Sequence, residues 1–239
     1  MSLFFTETGA TARKTKAKPK SRTVISVAEQ KLLNCSHCPL DKVQLNSPKM
    51  PPTGATHPIL YFLGEYPTKQ EDEDSVTFAG AGGRLLRDKI PTKWEKKIRW
   101  NNTIRCHLPS KRDPEPIETA CCRRLQVADI EQSKPKVIVG FGNIPLEWML
   151  GSDRQISNWR GRRAPVKIGT HTCWFYPITH QKDIVRLMHD KKKGAAYLRA
   201  FEHDLERIFK DIDKGLPDPY VEAETDYKHG IFCLDEYGQ

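Results

Sequence analysis

The chain has 239 residues, is 38% hydrophobic and carries a formal net charge of +9, which suits one domain with a substantial core, or one domain with tails. No apolar run reaches the ~18 residues that a membrane span needs, and no apolar N-terminal segment precedes a cleavage site, so we expect neither a membrane protein nor a secreted one. The seven cysteines are an odd number, which favours a cytoplasmic protein with a metal site over a disulfide framework.

The charge is unevenly distributed along the chain. Residues 1–28 contain six basic residues and one acidic residue without a hydrophobic period, so we expect a disordered basic arm. Residues 211–239 contain eight acidic residues and two lysines. We therefore expect a folded domain over 29–212 and an acidic tail over 213–239. A basic body with a basic arm suggests a polyanionic partner, most often nucleic acid, although such an arm can also serve solubility alone.

Predicted strands and helices alternate through the middle of the chain. A short helix is predicted from near Ser26 to Leu33, followed by a proline-rich loop over 34–57. Short apolar runs bounded by turn residues predict buried strands, which are residues 58–63, 100–104, 137–141 and 173–176. Helical spacing of apolar residues, or proline near the start, predicts helices at residues 84–89, at 116–131, after Asn143 and at 194–212.

This alternation predicts an α/β fold, a three-layer α/β/α sandwich with a central, mainly parallel four-stranded sheet. In such sheets, sites form at the carboxyl ends of the strands. Glu65, Asn102 and His180 each follow a predicted strand, so we expect them at one edge of the sheet.

Four cysteines have the spacing of one metal or iron–sulfur site. Cys35 and Cys38 form a C-x2-C pair, and Cys106 and Cys122 lie downstream, 16 positions apart. Thiolates bind soft metals and clusters, and zinc also accepts four of them, so the spacing leaves the metal open. Cys121 competes with Cys122, because neighbouring helical positions point about 100° apart and only one easily faces Cys106. The alternative is that the downstream cysteines are small buried side chains.

In combination with other motifs, these cysteines resemble the iron–sulfur uracil-DNA glycosylases, the family-four group of that superfamily, over roughly residues 30–210. The group's cysteine pattern, C-x2-C and later C-x15-C, matches with Cys122 in the last place, and Pro116 then stands where the pattern has its helix-opening proline. Further matches are G-E-x-P-G-x-x-E-D at 64–72, F-x-G-x-x-G at 78–83, the asparagine four positions before the third cysteine (Asn102), R-x-P at 112–114, the strand at 135–142 and R-G at 160–161.

The resemblance implies a structural [4Fe–4S] cluster and a monofunctional DNA glycosylase, and we expect a monomer with DNA as its partner. Glu65 would position or deprotonate the attacking water, and His180 would hydrogen-bond the departing base. The predicted base-binding residues are Tyr66, Glu71, Phe78 and Asn102. The predicted DNA-binding residues are Lys111, Arg112, Lys182 and Arg186. The predicted metal ligands are Cys35, Cys38, Cys106 and Cys122.

Each of these residues also has a structural alternative. Glu65 could satisfy amides at a helix start, Phe78 could be plain core, Asn102 could cap a turn, and His180 could have a structural role in its loop. The basic residues could be solvated surface charges.

Two departures from the motifs bear on the substrate. Thr68 replaces the second glycine of the first motif, and the last motif, normally H-P-[SA], reads His180-Gln181-Lys182. Uracil is the default substrate, and the departures favour a bulkier or modified pyrimidine as the alternative, such as hypermodified cytosine in phage DNA. A non-catalytic DNA-binding module with the same fold is a further alternative. A covalent uracil-trapping relative is disfavoured, because the chain lacks that group's arginine-bearing insertion.

Overall fold

A computed structural model describes residues 32–109, 112–151, 154–190 and 193–219 of the chain. The predicted basic arm, residues 220–239 of the acidic tail, nearly all of the helix predicted near Ser26, and Lys111 lie outside the described residues. None of the described helices is both long and apolar enough to cross a membrane.

The described residues form one six-stranded sheet in the order β1-β3-β2-β4-β6-β5. The four central strands run parallel, and β1 and β5 pair antiparallel at the two edges. The strands are β1 (Thr53–Gly54), β2 (Leu60–Gly64), β3 (Ile98–Asn102), β4 (Val137–Phe141), β5 (Ala164–Ile168) and β6 (His171–Ile178).

Helices cover both faces of this sheet. Two short 3₁₀ helices, Cys35–His37 and Pro39–Lys42, precede the first strand. The α-helices are α1 (Lys69–Asp74), α2 (Ala81–Arg87), α3 (Thr92–Glu95), α4 (Pro116–Ser133), α5 (Asn143–Leu150), α6 (Ile156–Trp159), α7 (Gln181–Met188) and α8 (Gly194–Asp213).

The two faces of the sheet bury separate apolar clusters, because successive side chains of a strand point to opposite faces. In β2, Phe62 belongs to the cluster that also contains Phe201 and Leu205 of α8. Its neighbour Tyr61 belongs to the other cluster, with Ile130 of α4. The sheet is therefore the middle layer of an α/β/α sandwich, as the sequence predicts.

The parallel core of four strands and the main helices agree with the sequence prediction, with β4 at the predicted residues 137–141. The edge strands β1 and β5 and the helices α1, α3, α6 and α7 were not predicted. Strand β1 is only two residues long, and α1 (KQEDED) has no apolar stripe to reveal it.

Candidate active site and thiol cluster

Three of the predicted site residues meet at the carboxyl edge of the sheet. Glu65 directly follows β2, Asn102 is the last residue of β3, and His180 follows the end of β6 by two positions. All three side chains are buried, with residue exposures of 8%, 4% and 8%. β2, β3 and β6 all belong to the parallel core of the sheet, where β3 adjoins β2 and β4 lies between β2 and β6, so their carboxyl ends lie at the same edge.

The Glu65 carboxylate lies between a histidine and a lysine. Its Oε2 atom is 3.9 Å from Nε2 of His180 and in direct contact with Nζ of Lys182. Burial raises the pKa of Glu65, and the Lys182 ammonium and the backbone amide of Ile144 oppose this rise by favouring the carboxylate. The site therefore presents a carboxylate that is withdrawn from water and is paired with the Lys182 cation.

Gly142, which follows β4, makes room for this carboxylate. Its φ of 95° is in the left-handed region that favours glycine. A Cβ atom at this position would lie 2.4 Å from Oε1 of Glu65 and 3.2 Å from Cβ of His180. A glycine at the end of β4 is therefore a condition for Glu65 and His180 to be neighbours.

His180 is the N-cap residue of α7, and this position defines its tautomer. Its Nδ1 atom accepts a hydrogen bond from the backbone amide of Lys182 over 3.0 Å. Burial, and then the charge of Lys182, lowers the pKa of His180 well below its ordinary value, so the ring is neutral. A neutral imidazole that accepts at Nδ1 carries its proton on Nε2. The Nε2–H donor is on the side of the ring that faces Glu65.

Phe78 and Asn102 meet beside Gly64, at the end of β2. A Cβ atom at Gly64 would lie 2.2 Å from Oδ1 of Asn102 and 3.0 Å from Cζ of Phe78, so both groups use the space that glycine leaves. Phe78 has a φ of 57°, which is uncommon for an aromatic residue. Its ring meets Trp100 and Phe141 edge-on at 5.2 and 5.7 Å. It is therefore both part of the core and adjacent to the candidate site.

The Asn102 side chain has an unused donor. Its Nδ2 atom is buried and has no hydrogen-bond partner among the residues that the structure describes. Its backbone is held on both sides: the amide donates to Oδ1 of Asn101 over 2.9 Å, and the carbonyl accepts from Nε2 of Gln126 over 2.6 Å. Buried donors are rarely left unpaired. This amide is thus available to a ligand.

Gln126 is a supporting residue that the sequence analysis missed. It is fully buried in α4, and its Oε1 atom accepts from Nδ2 of Asn101 over 2.5 Å. A polar residue amid the apolar positions of a helix is the only signal that could have drawn attention to it.

Glu71 supports the loop that carries Phe78. One carboxylate oxygen accepts from the backbone amide of Thr68 over 2.6 Å, and the other contacts the backbone amide of Phe78. The first contact belongs to the capping box of α1, and the second anchors the turn that follows the helix. The side chain that was predicted to touch the base therefore engages backbone amides on either side, and its influence on a bound base would pass through Phe78.

The basic residues predicted to contact DNA have different surroundings. Arg112 forms a two-pronged ion pair with the buried Glu118 and is thereby tied to the start of α4. Arg186 is 77% exposed at its side chain and pairs with Asp183, 3.1 Å away and one turn earlier. Of these two residues, Arg186 has the more exposed side chain, since that of Arg112 is 33% exposed.

Lys182, which was predicted to contact DNA, and Tyr66, which was predicted to bind the base, both lie close to Glu65. The Lys182 ammonium lies 5.1 Å from the centre of the Tyr66 ring while it contacts Glu65. Its side chain is 43% exposed, whereas that of Glu65 is 11% exposed. The lysine therefore covers the carboxylate on the solvent side.

Five cysteines line one cavity near the N-terminal end of the described chain. The lining consists of Cys35, Cys38, Asp41, Lys49, Arg105, Cys106, Cys121, Cys122 and Leu125. The four predicted ligands are thus brought together, and Cys121 lies with them. The Cys121 thiol contacts that of Cys38, whereas the Cys122 thiol interacts with that of Cys106, so both adjacent cysteines of α4 remain candidates for the fourth ligand.

Five thiols are a donor set that suits a soft metal centre. In the arrangement seen here, however, the described residues contain no group of three or more His, Cys, Asp or Glu side chains that could hold a metal ion. Burial raises the pKa of both Cys121 and Cys122 to about 12. The Cys106 sulfur accepts the backbone amide of Lys49 over 3.3 Å. All six described cysteines are free of disulfides, and Cys173 lies elsewhere, inside β6.

Comparison with known proteins relates the chain to one superfamily. A family model described as the uracil DNA glycosylase superfamily matches residues 51–206. A type-4 uracil-DNA glycosylase of Archaeoglobus fulgidus is 29% identical over 122 residues, which are 50% of this chain and 60% of that protein. One of Thermotoga maritima is 28% identical over 141 residues, 58% of this chain and 72% of that protein. One of Saccharolobus solfataricus is 30% identical over 111 residues, 45% of this chain and 50% of that protein.

Proposed function

The chain belongs to the uracil-DNA glycosylase superfamily, and we propose that it is a monofunctional DNA glycosylase that extrudes a pyrimidine from DNA and hydrolyses its N-glycosidic bond. Uracil is the proposed base, and an abasic site is the proposed product. The observation that carries the proposal is the 3.9 Å separation of Glu65 Oε2 and His180 Nε2, two groups from distant parts of the chain.

Hydrolysis of this bond requires a group that acts on the sugar side. As the bond breaks, positive charge develops on the sugar, and a water molecule attacks the anomeric carbon. The buried Glu65 carboxylate would orient this water, take its proton and stabilise the cation. Burial supports this role, because a carboxylate withdrawn from solvent interacts more strongly with a developing charge.

The departing base requires a group on the opposite side of the bond. Negative charge accumulates on a carbonyl oxygen of the pyrimidine, and the Nε2–H group of neutral His180 would donate a hydrogen bond to it. The backbone amide of Lys182 holds the opposite ring nitrogen and so fixes the donor before the substrate arrives. A donor preorganised in this way contributes about 3 kcal/mol to stabilising the transition state.

The base edge would be read by Asn102. Its amide offers one donor and one acceptor, which matches the O4 and N3–H groups of uracil. The buried and unpartnered Nδ2 atom supports this assignment. Phe78 would stack on the extruded ring, in keeping with its place beside Asn102.

We further propose that Cys35, Cys38, Cys106 and Cys122 would hold a [4Fe–4S] cluster. When bound, such a cluster would serve as a structural cross-link between the N-terminal loop, the segment after β3 and α4. The thiol donors and their common cavity support the assignment, and zinc is the alternative metal for the same donors.

DNA is the proposed partner, bound by one molecule of the protein. Extrusion of a base costs a few kcal/mol, which contacts to phosphates help to offset. Arg186, whose side chain is exposed on α7, and Lys111 are the proposed phosphate-binding residues, and Lys182 is close enough to the site to take part.

A modified pyrimidine is the second candidate substrate. Gln181 occupies the position of the motif's proline, and its buried Oε1 atom has no hydrogen-bond partner in the described part of the chain. An unpaired acceptor next to His180 could serve a substituent that uracil lacks. Activity confined to plain uracil would argue against this candidate.

A base-excision assay tests the proposal. Duplex and single-stranded DNA that contain uracil or a modified cytosine are incubated with the protein, and abasic sites are detected by alkaline cleavage. Glu65→Gln and His180→Ala should each lower the single-turnover rate by about 100-fold or more without loss of DNA binding. Glu73→Gln, at an exposed position of α1, is the matched control. DNA binding without any excision by the unmodified protein would instead identify a non-catalytic DNA-binding module.

A further inference from the structure

Lys182 is linked to both proposed catalytic groups at the same time. Its backbone amide donates to Nδ1 of His180 over 3.0 Å, and its ammonium contacts Oε2 of Glu65. The same ammonium lies 5.1 Å from the centre of the Tyr66 ring. Thus a single residue holds the histidine by its backbone and the carboxylate by its side chain.

We propose that Lys182 is a positioning residue of the active site, which keeps Glu65 in place as an anion and His180 in place as a neutral donor. This inference rests on the proposed function and extends it to a residue of the altered last motif. The reaction needs a carboxylate that can accept a proton and a histidine whose Nε2 carries one. Lys182 favours both of these protonation states.

The charges around the site support this role. Burial raises the pKa of Glu65, and the lysine counteracts the rise, whereas Asp183 adds to it. Burial also lowers the pKa of His180, and here the lysine acts in the same direction. Burial alone would lower the pKa of Lys182, but Glu65, Tyr66 and Asp183 raise it overall, so the lysine remains charged.

The Lys182 ammonium affects the pKa of Glu65 more than a charge on the open surface would, because the carboxylate is buried. The exposed fraction of the Glu65 side chain is 11%, so solvent provides little stabilisation of its negative charge. Without Lys182, the amide of Ile144 would still stabilise the carboxylate, whereas the charge of Asp183 would oppose it. The carboxylate would then be protonated at a higher pH and would no longer serve as a base.

The test compares Lys182→Met, which removes the charge at similar length, with Lys182→Arg, which keeps it. Lys69→Met, at a lysine that is 81% exposed on α1, is the control. Single-turnover excision rates are measured from pH 5 to pH 9. For Lys182→Met we expect the acid limb of the profile to move up by about one pH unit or more, with the rate partly recovered at high pH. Lys182→Arg and Lys69→Met should keep the acid limb of the unmodified protein.

A second measurement keeps the inference testable without turnover. The titration of the His180 ring is followed by NMR in the DNA-free protein, and Lys182→Met should move its midpoint upward. An unchanged acid limb together with an unchanged His180 titration would overturn the proposal. If Lys182→Met instead only weakens DNA binding and flattens its salt dependence, Lys182 is a phosphate contact and not a positioning residue. If the unmodified protein excises no base, the proposed function fails, and the NMR titration still decides the role of Lys182.

Discussion

The backbone amide of Ile104 donates a hydrogen bond to the carbonyl oxygen of Glu65 over 3.0 Å. Ile104 is fully buried in the same apolar cluster as Cys38, Cys106 and Cys122. The neighbouring amide of Thr103 donates to the carbonyl of Gly64 over 2.8 Å. The segment that leads from β3 to the thiol cavity is therefore also the segment that holds the backbone of the proposed catalytic carboxylate.

This connection yields a prediction for the cysteines. Cys122→Ala should lose bound iron and lower the excision rate, because the loop over 103–106 loses its anchor. Cys121→Ala should retain iron, since the sequence register assigns the ligand role to its neighbour. The checks are elemental analysis for iron and zinc and single-turnover excision. Cys173→Ala, inside β6 and remote from the cavity, is the control that should keep its iron while losing some stability.

The opposite pattern would reassign the ligands. Loss of iron from the Cys121 variant alone would make Cys121 the fourth ligand. One equivalent of zinc without iron in the unmodified protein would replace the proposed cluster by a single-ion site.

The convergence of Glu65, Asn102 and His180 was predictable from the sequence, because each follows a strand of a parallel sheet and such strands end at the same edge. The partners of these residues were not predictable in the same way. Lys182 was predicted to contact DNA, with a solvated surface charge as the alternative, and its contact with Glu65 depends on how α7 packs against α2 and α8. Gln126 supports Asn102 from a helix that is adjacent only in the folded protein.

Arg112 shows a different limit of the sequence argument. Arg112 was predicted to contact DNA, which stays a prediction, and the sequence did not indicate that its side chain pairs with Glu118, six positions later. That pairing depends on the turn before α4, which no periodic pattern describes. The edge strand β5 escaped prediction for a related reason: its alternation of buried and exposed residues covers only five positions.

A glycine pair tests whether the space beside Glu65 matters. Gly142 and Gly151 have similar positive φ angles of 95° and 87°, but among the residues that the structure describes only Gly142 has neighbours within 4 Å of the point where a Cβ atom would lie. Alanine at either site should therefore cost about 1–3 kcal/mol of stability from backbone strain, because both glycines combine a positive φ with a ψ near 180°. Gly142→Ala should in addition lower kcat/KM by about 100-fold, because it displaces Glu65 and His180. Thermal unfolding and excision kinetics of the two variants check this, and equal activity in both would show that the displacement is harmless.

A substitution at Asn102 tests how the base is read. Asn102→Asp replaces the Nδ2 donor by a second acceptor, which would face the O4 oxygen of uracil. We expect kcat/KM for uracil to fall by about 10- to 100-fold. Two buried acceptors, the carboxylate oxygen and O4 of uracil, would face each other with no proton between them, and this costs about 1–3 kcal/mol. The measurement is single-turnover excision of uracil and of cytosine from otherwise identical duplexes. Asn158→Asp, exposed on α6, introduces the same charge change away from the site, and an equal loss in that variant would contradict a role in base recognition.

The buried His180 should make the stability of the protein depend on pH. Its folded-state pKa lies well below its ordinary value, mainly because of burial, so the unfolded chain binds a proton near pH 6.5 that the folded chain does not bind. The stabilisation is therefore fully present above about pH 6.5 and is lost as the pH falls below it. Between pH 7.5 and pH 5.5, this group alone should remove up to about 1.4 kcal/mol from the free energy of unfolding.

His180→Asn keeps an oxygen acceptor for the Lys182 amide but cannot titrate, so its loss of stability over this interval should be smaller by that amount. Urea unfolding at the two pH values measures the difference, with His57→Asn at an exposed position as the control. Identical pH dependence in the unmodified protein and in His180→Asn would mean that the ring accepts its proton in the folded state as readily as in the unfolded chain.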